Sequence, residues 1–225
     1  MELNLKPTPK QHQAYQSLRD NETTYLLFGG GAGGGKSWLG CEWLLTNCIL
    51  YPGTRWFIAR ERLKTLKLTT LITFYKVCQE QGIKQGTHFN YNAQNSVITF
   101  ANGSTIDLLE VKLNPSDPLF EDLGSAEYTG GWLEEAGEIN FNAFDTLKSR
   151  IGRHKNDAFG LKKKLLVTCN PKKNWLYTTF YKPFKDGTLP TEYKFLQSLV
   201  DDNPYMESDY RAGLLDLFRA RFPGQ

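Results

Sequence analysis

The run Gly30-Gly31-Ala32-Gly33-Gly34-Gly35-Lys36-Ser37 brings together the residue types that hold a polyphosphate. Counting Gly29, six of the seven residues before Lys36 are glycine. A phosphate chain needs backbone N–H groups turned inward around it, and that curl uses backbone angles that side chains resist. Lys36 would place a point charge on the β- and γ-phosphates, and Ser37 would offer a hydroxyl to Mg²⁺. The spacing fits G-x-x-x-x-G-K-[ST]. Gly30 to Ser37 are therefore the expected contacts of a nucleoside triphosphate.

Two further clusters could complete the chemistry. Glu134 and Glu135 follow the apolar stretch Tyr128 to Leu133. At the end of a strand beside the phosphate loop, Glu134 would face Mg²⁺ and Glu135 would orient and deprotonate the attacking water. Successive strand residues point to opposite faces, so the turn must redirect one of the two. Glu138 is expected to be the solvated acid. Thr168-Cys169-Asn170-Pro171 ends another apolar stretch, where Asn170 could hydrogen-bond the γ-phosphate or the attacking water.

The elements that must position these groups are legible in the hydrophobic pattern. Thr24 to Phe28, Arg55 to Ala59, Tyr128 to Leu133, Leu165 to Cys169 and Tyr193 to Val200 read as strands. Trp38 to Leu50, Leu63 to Gln81, Phe141 to Ile151, Trp175 to Tyr181 and Tyr205 to Arg221 read as helices. His88 to Tyr91, Ser96 to Phe100 and Thr105 to Val111 alternate between Asn-rich turns, which predicts an antiparallel insertion. Helices alternating with apolar strands imply an α/β fold with a mostly parallel sheet covered on both faces.

The chain has 225 residues and a net charge of +3, enough for one large core and short of a strongly basic nucleic-acid footprint. Any nucleic-acid contact must come from local patches such as Lys162-Lys163-Lys164, Lys172-Lys173, or Arg60, Arg62, Lys64 and Lys67. Taken singly, each patch also fits a solvated face. Cys41, Cys48, Cys78 and Cys169 have neither zinc spacing nor a disulfide pattern and are expected as buried thiols. No signal sequence or membrane-length apolar run is present, so no membrane partner is expected.

In this order the motifs resemble the ATPase domain of the large terminase subunit of tailed bacteriophages, across essentially the whole chain. Pro9-Lys10-Gln11 looks like the adenine-recognition element, with Gln11 reading the base. Gly30 to Ser37 looks like Walker A, and Trp132-Leu133-Glu134-Glu135-Ala136 like Walker B plus the catalytic glutamate. Thr168 to Pro171 looks like the coupling motif, and Asp202-Asn203-Pro204-Tyr205 like the end of the domain. The resemblance implies a P-loop NTPase fold of the RecA/ASCE kind, formed as one ATPase domain over residues 1–225. It implies ATP and Mg²⁺ as ligands and hydrolysis that drives double-stranded DNA into a procapsid. The implied partners are the portal protein, the small terminase subunit and further copies in a homo-oligomeric ring, in the host cytoplasm.

Two departures from the family pattern shape the expectations. The arginine many large terminases carry inside the phosphate loop is here Ala32, so a transition-state arginine must come from elsewhere or from a neighbouring subunit. Arg60, Arg62, Arg150 and Arg153 are the candidates, the last two best placed to face a partner. The family usually adds a C-terminal RNase H-like nuclease; the 225 residues are expected to correspond to the ATPase domain alone, so no nuclease activity is expected of them. A helicase-like nucleic-acid ATPase and a non-catalytic nucleotide-binding assembly subunit are the alternative functions.

Overall fold

The computed structural model describes residues 3–170, 172–206 and 213. Its strands are β1 (Tyr25–Gly29), β2 (Arg55–Arg60), β3 (Phe89–Asn92), β4 (Val97–Phe100), β5 (Thr105–Glu110), β6 (Gly130–Leu133), β7 (Leu165–Cys169) and β8 (Tyr193–Gln197). They form one eight-stranded sheet in the order β3-β4-β5-β2-β6-β7-β1-β8. From β5 to β8 every pairing is parallel, while β3–β4 and β4–β5 are antiparallel.

Helices α1 (Pro9–Arg19), α2 (Lys36–Leu50), α3 (Leu63–Leu68), α4 (Thr70–Glu80), α5 (Phe141–Lys148), α6 (Asn156–Phe159) and α7 (Lys182–Lys185) surround the sheet, with a π-helical stretch at Tyr177–Tyr181. Alternation along the strands explains why both faces are covered. Leu26 and Phe28 of β1 join the core with Leu39 and Leu44 of α2 and Phe74 of α4. Tyr25 and Leu27 join the opposite core with Phe144 and Leu147 of α5 and with Phe180. All four cysteines are free and buried. No helix among the described residues is long and apolar enough to cross a membrane.

One close approach fixes the distance between the two halves of the site. A Cβ on Gly40 would lie 2.6 Å from the Trp132 ring, so α2 can settle onto β6 only because residue 40 is glycine. Trp132 is fully buried and donates its indole N–H to Thr168 Oγ1 at 2.8 Å. The helix that follows the phosphate loop is thereby seated on the strand that carries the acids.

The structure corrects several expected elements. Thr105 to Val111 is not part of a separate antiparallel insertion. Its strand β5 pairs in parallel with β2 over six residues, from Arg55–Thr105 to Arg60–Glu110, and only β3 and β4 extend the edge antiparallel. The tight turn at Asn102-Gly103, where Gly103 has φ 84°, folds β4 back onto β5, while Ile106 and Leu108 are buried as in a central strand. The helix expected from Leu63 to Gln81 breaks at Thr69 (φ −123°, ψ −69°), whose hydroxyl donates back to Thr65 O and accepts from Arg60. Helix α1 was not expected from the periodicity. Thr8 and Gln11 form a reciprocal capping box with Pro9 at the first turn, a local signal independent of the weak amphipathic pattern. The helix expected over 205–221 lies almost wholly outside the described residues.

Candidate nucleotide site

Five neighbouring strands bring their carboxyl ends to one edge of the sheet, where open α/β folds bind ligands. Along the order β2-β6-β7-β1-β8 they end at Arg60, Glu134-Glu135, Asn170, the glycine loop and Ser198. The backbone at this edge is continuous. Glu134 N–H donates to Ala59 O, Gly30 N–H to Cys169 O and Ser198 N–H to Gly29 O, at 2.9, 3.2 and 2.8 Å.

The loop is shaped by partners on its carbonyl side. Asn203 Nδ2 donates to Gly33 O at 2.7 Å, Ser198 Oγ to Gly34 O at 2.9 Å and Gln11 Nε2 to Gly35 O at 3.0 Å. In a trans peptide the N–H of the next residue points opposite to the carbonyl. The amides of Gly34, Gly35 and Lys36 therefore face the hollow of the loop, at the positive end of the 15-residue α2. Gly35, the residue that caps α2, is left-handed at φ 73°, which glycine adopts without strain.

Lys36 is buried, and its Nζ donates to Gly30 O, Gly31 O and Asn170 Oδ1 at 2.9, 2.6 and 3.1 Å. Burial lowers its pKa below the usual lysine value, while Glu135, Cys169 and Glu134 pull it back up. The Asn170 amide Nδ2 lies 3.4 Å from each carboxylate oxygen of Glu135. Lysine, asparagine and glutamate form a chain across the sheet edge, which brings the three expected clusters together.

The redirection needed at the Glu-Glu pair is made by Glu135, whose backbone is left-handed at φ 49°, ψ 47°. That conformation costs a non-glycine residue roughly 1–2 kcal/mol, and it swings Glu135 toward Asn170 while Glu134 stays buried beside Arg60. Glu134 is buried, and Arg60 Nη1 donates to its Oε2 at 2.7 Å. Burial pushes the Glu134 carboxyl up to about 7, with Arg60 opposing the rise, Glu135 adding to it and a Thr70 hydrogen bond lowering it. Glu138 is the more solvated acid, 3.9 Å from Arg60 Nε.

The arginines divide by position. Arg60 is engaged by Glu134 and by Thr69 within its own chain. Arg62 projects outward beside Glu61. Arg150 and Arg153 do not join the site of their own chain. Their backbones pair with Tyr128 just before β6 begins, at the opposite edge of the sheet from Glu134, and the Arg150 guanidinium donates to Gly124 O. Lys164 is likewise no part of an exposed basic patch: it is buried, with its ammonium bonded to Ser17 O, Asp20 and Thr23 O.

Gln11 is buried at the loop, where its Oε1 accepts from Thr8 N–H at 2.8 Å while its Nε2 serves Gly35. It lines a cavity of about 430 Å³ with Thr8, Gly35, Trp38, Glu42 and Tyr205, directly beside the loop and large enough for a nucleobase. Ser37 at the first turn of α2 and the carboxylate of Glu134 are the oxygens that would be offered to Mg²⁺. That donor set fits Mg²⁺, which keeps several waters and phosphate oxygens and takes one or two protein ligands.

The contacts Arg60–Glu134, Ser198–Gly34 and Asn203–Gly33 were not expected. The first had a signal, since a cation ending a strand beside the acid-bearing strand would meet it. The other two depend on where β8 lies in the sheet, and β8 neighbours β1 only through the fold.

The sequence matches the phage terminase large subunit family over residues 21–220. None of the curated proteins matches it. Among solved structures, the large terminase of a thermophilic bacteriophage is similar with a TM-score of 0.72 at 13% identity, over 97% of this chain and 51% of that one. The ATPase domain of the large terminase of Thermus phage P74-26 gives 0.66 at 14% identity, over 99% and 91%. The large terminase of bacteriophage HK97 gives 0.69 at 11% identity, over 99% and 49%. The chain thus spans about half the length of the first and third of these proteins and nearly all of the P74-26 ATPase domain. The thermophilic phage protein has also been solved with ADP and with ATP-gamma-S. At these identities the structural likeness establishes the fold, and the family match over most of the sequence establishes the lineage: this chain belongs to the phage terminase large subunit family.

Proposed function

We propose that this chain, acting as one ATPase domain over residues 1–225, binds ATP at the glycine loop and hydrolyses it to drive double-stranded DNA into a procapsid. The observation that carries the reading is the Lys36–Asn170–Glu135 chain across the carboxyl edge of the sheet. Phosphoryl transfer asks mainly for positioning and charge stabilisation, and these three residues supply both. The amides of Gly34, Gly35 and Lys36 and the Lys36 ammonium hold the phosphates. Asn170 orients Glu135, and Glu135 takes the proton of the attacking water. Ser37 and Glu134 would hold Mg²⁺, which when bound neutralises charge on the β- and γ-phosphates.

With ATP bound, Lys36 would exchange all three of its protein acceptors, Gly30 O, Gly31 O and Asn170 Oδ1, for phosphate oxygens. That frees Asn170 from one partner and leaves it to read the γ-phosphate and the water. The remaining cation is proposed to come from another subunit of a homo-oligomeric ring, through Arg150 or Arg153, because neither reaches the site of its own chain. Such an arginine is worth about 10³–10⁵ in rate in other P-loop enzymes. Portal protein and small terminase subunit are the proposed partners, and the host cytoplasm the proposed location.

The test is ATP turnover and displacement of a DNA-bound third strand by the assembled protein at increasing concentration. Turnover that rises with assembly and moves DNA is expected. An assembled, unmutated protein that binds ATP without hydrolysing it would instead make the chain a nucleotide-binding assembly subunit.

A further inference from the structure

Given the nucleotide site proposed above, we propose that the strap from Ser198 to Asn203 is a positioning element of that site, with Ser198 and Asn203 setting the shape of the phosphate loop. The strap leaves β8 at Ser198, makes a 3-10 turn at Val200–Asp202 and reaches the loop again at Asn203. None of these residues lies in the phosphate-loop motif or beside the acids.

Three observations define the role. Ser198 is 1% exposed and ties the end of β1 to the loop, its N–H donating to Gly29 O at 2.8 Å and its hydroxyl to Gly34 O at 2.9 Å. The Asn203 amide is fixed at both ends, Oδ1 accepting from Tyr205 N–H at 3.1 Å and Nδ2 donating to Gly33 O at 2.7 Å. The strap backbone also lies against the loop. A Cβ on Gly34 would come within 2.7 Å of Ser198 O, and one on Gly30 would overlap the same oxygen.

The consequence for chemistry follows from peptide geometry. Ser198 turns the Gly34 carbonyl outward, which turns the Gly35 N–H inward, and Asn203 does the same for the Gly34 N–H through Gly33. The phosphates would meet amides already aimed, so binding costs less reordering of a glycine-rich segment. Part of the glycine demand is thereby assigned to the strap: Gly30 and Gly34 are small because Ser198 lies behind them, whereas a Cβ on Gly31 meets nothing within 4 Å. Ser198 and Asn203 touch no phosphate in this arrangement. They act through the loop.

The role is read from affinity for the phosphate chain itself. Isothermal titration of the full chain with ADP and with inorganic pyrophosphate compares unmutated protein with Ser198→Ala, Ser198→Thr and Asn203→Asp. Each lost donor is expected to weaken both ligands by roughly three- to tenfold, the range for one hydrogen bond. Ser198→Thr keeps the hydroxyl and is expected to retain most of the affinity, and the ligand-free melting temperature of Ser198→Ala is expected to stay close to that of the unmutated protein. In steady-state turnover the loss should fall on KM more than on kcat. Folded Ser198→Ala with unchanged affinity for both ligands would overturn the proposal, as would a loss in Ser198→Thr equal to that in Ser198→Ala. Should Asn203→Asp not fold, the serine pair decides alone. Failure of the unmutated protein to bind ADP would instead contradict the nucleotide site on which the strap acts.

Discussion

Arg60 closes a 2.7 Å ion pair on Glu134 from the end of the adjacent strand, with both side chains largely buried. Removing one partner of a buried pair leaves the other charge without compensation, at a cost of about 3–5 kcal/mol. Arg60→Met should therefore destabilise the chain strongly in urea titrations. The double variant Arg60→Met with Glu134→Leu should recover much of that loss, because an apolar pair of similar volume replaces the ionic one. Equal stability of Arg60→Met and unmutated protein would show that the pair does not form in solution.

Asn170 touches both Lys36 and Glu135, so its loss should separate binding from chemistry. Asn170→Ala is expected to keep ADP affinity little changed, because the loop amides hold the phosphates. Turnover should fall by roughly a hundredfold, the penalty for a misplaced catalytic group. A proportional loss of ADP affinity would make Asn170 a binding residue instead.

These two cases show what the sequence could and could not disclose. The phosphate loop, Glu134-Glu135 and Asn170 were readable because each ends an apolar stretch, and strand ends in a parallel sheet converge on one edge. Their mutual contacts follow from the order β2-β6-β7-β1. That order is a property of the fold, and no local pattern encodes it. Arg60 was visible as a cation but not as the partner of Glu134, since 74 residues separate them. Lys164 misled for the opposite reason: it sits in a run of three lysines, yet four acceptors around Ser17, Asp20 and Thr23 draw it into the interior. The strand β5 misled because its turn to β4 is local and its parallel partner β2 is distant.

The glycines of the loop should not be equivalent. Gly31 is open on the side where a Cβ would stand, whereas Gly34 faces Ser198 O. Gly31→Ala should retain ADP binding, and Gly34→Ala should lose most of it, as calorimetry would show. Equal loss in both variants would mean that loop flexibility, and not crowding by Ser198, sets the requirement.

Glu42 should govern part of the pH dependence of stability in the ligand-free chain. Burial raises its carboxyl above the ordinary value of 4.5, although Trp38 and Tyr15 donate hydrogen bonds that oppose the rise. A raised folded pKa means that the fold favours the protonated acid. Its contribution is full below about 4.5 and is lost as pH climbs through the folded value. Glu42→Gln should therefore show a flatter decline in urea midpoint above that pH than the unmutated chain. An unchanged slope would remove Glu42 as the source.

The most direct test compares ATP affinity and turnover in Glu135→Gln and Lys36→Ala against the unmutated, assembled protein. Glu135→Gln keeps the shape of the side chain and removes its basicity, so it should bind ATP with Mg²⁺ about as well and fail to hydrolyse it. Lys36→Ala should lose both. Hydrolysis at the normal rate by Glu135→Gln would contradict the assignment of Glu135 as the base that activates water over the phosphate loop.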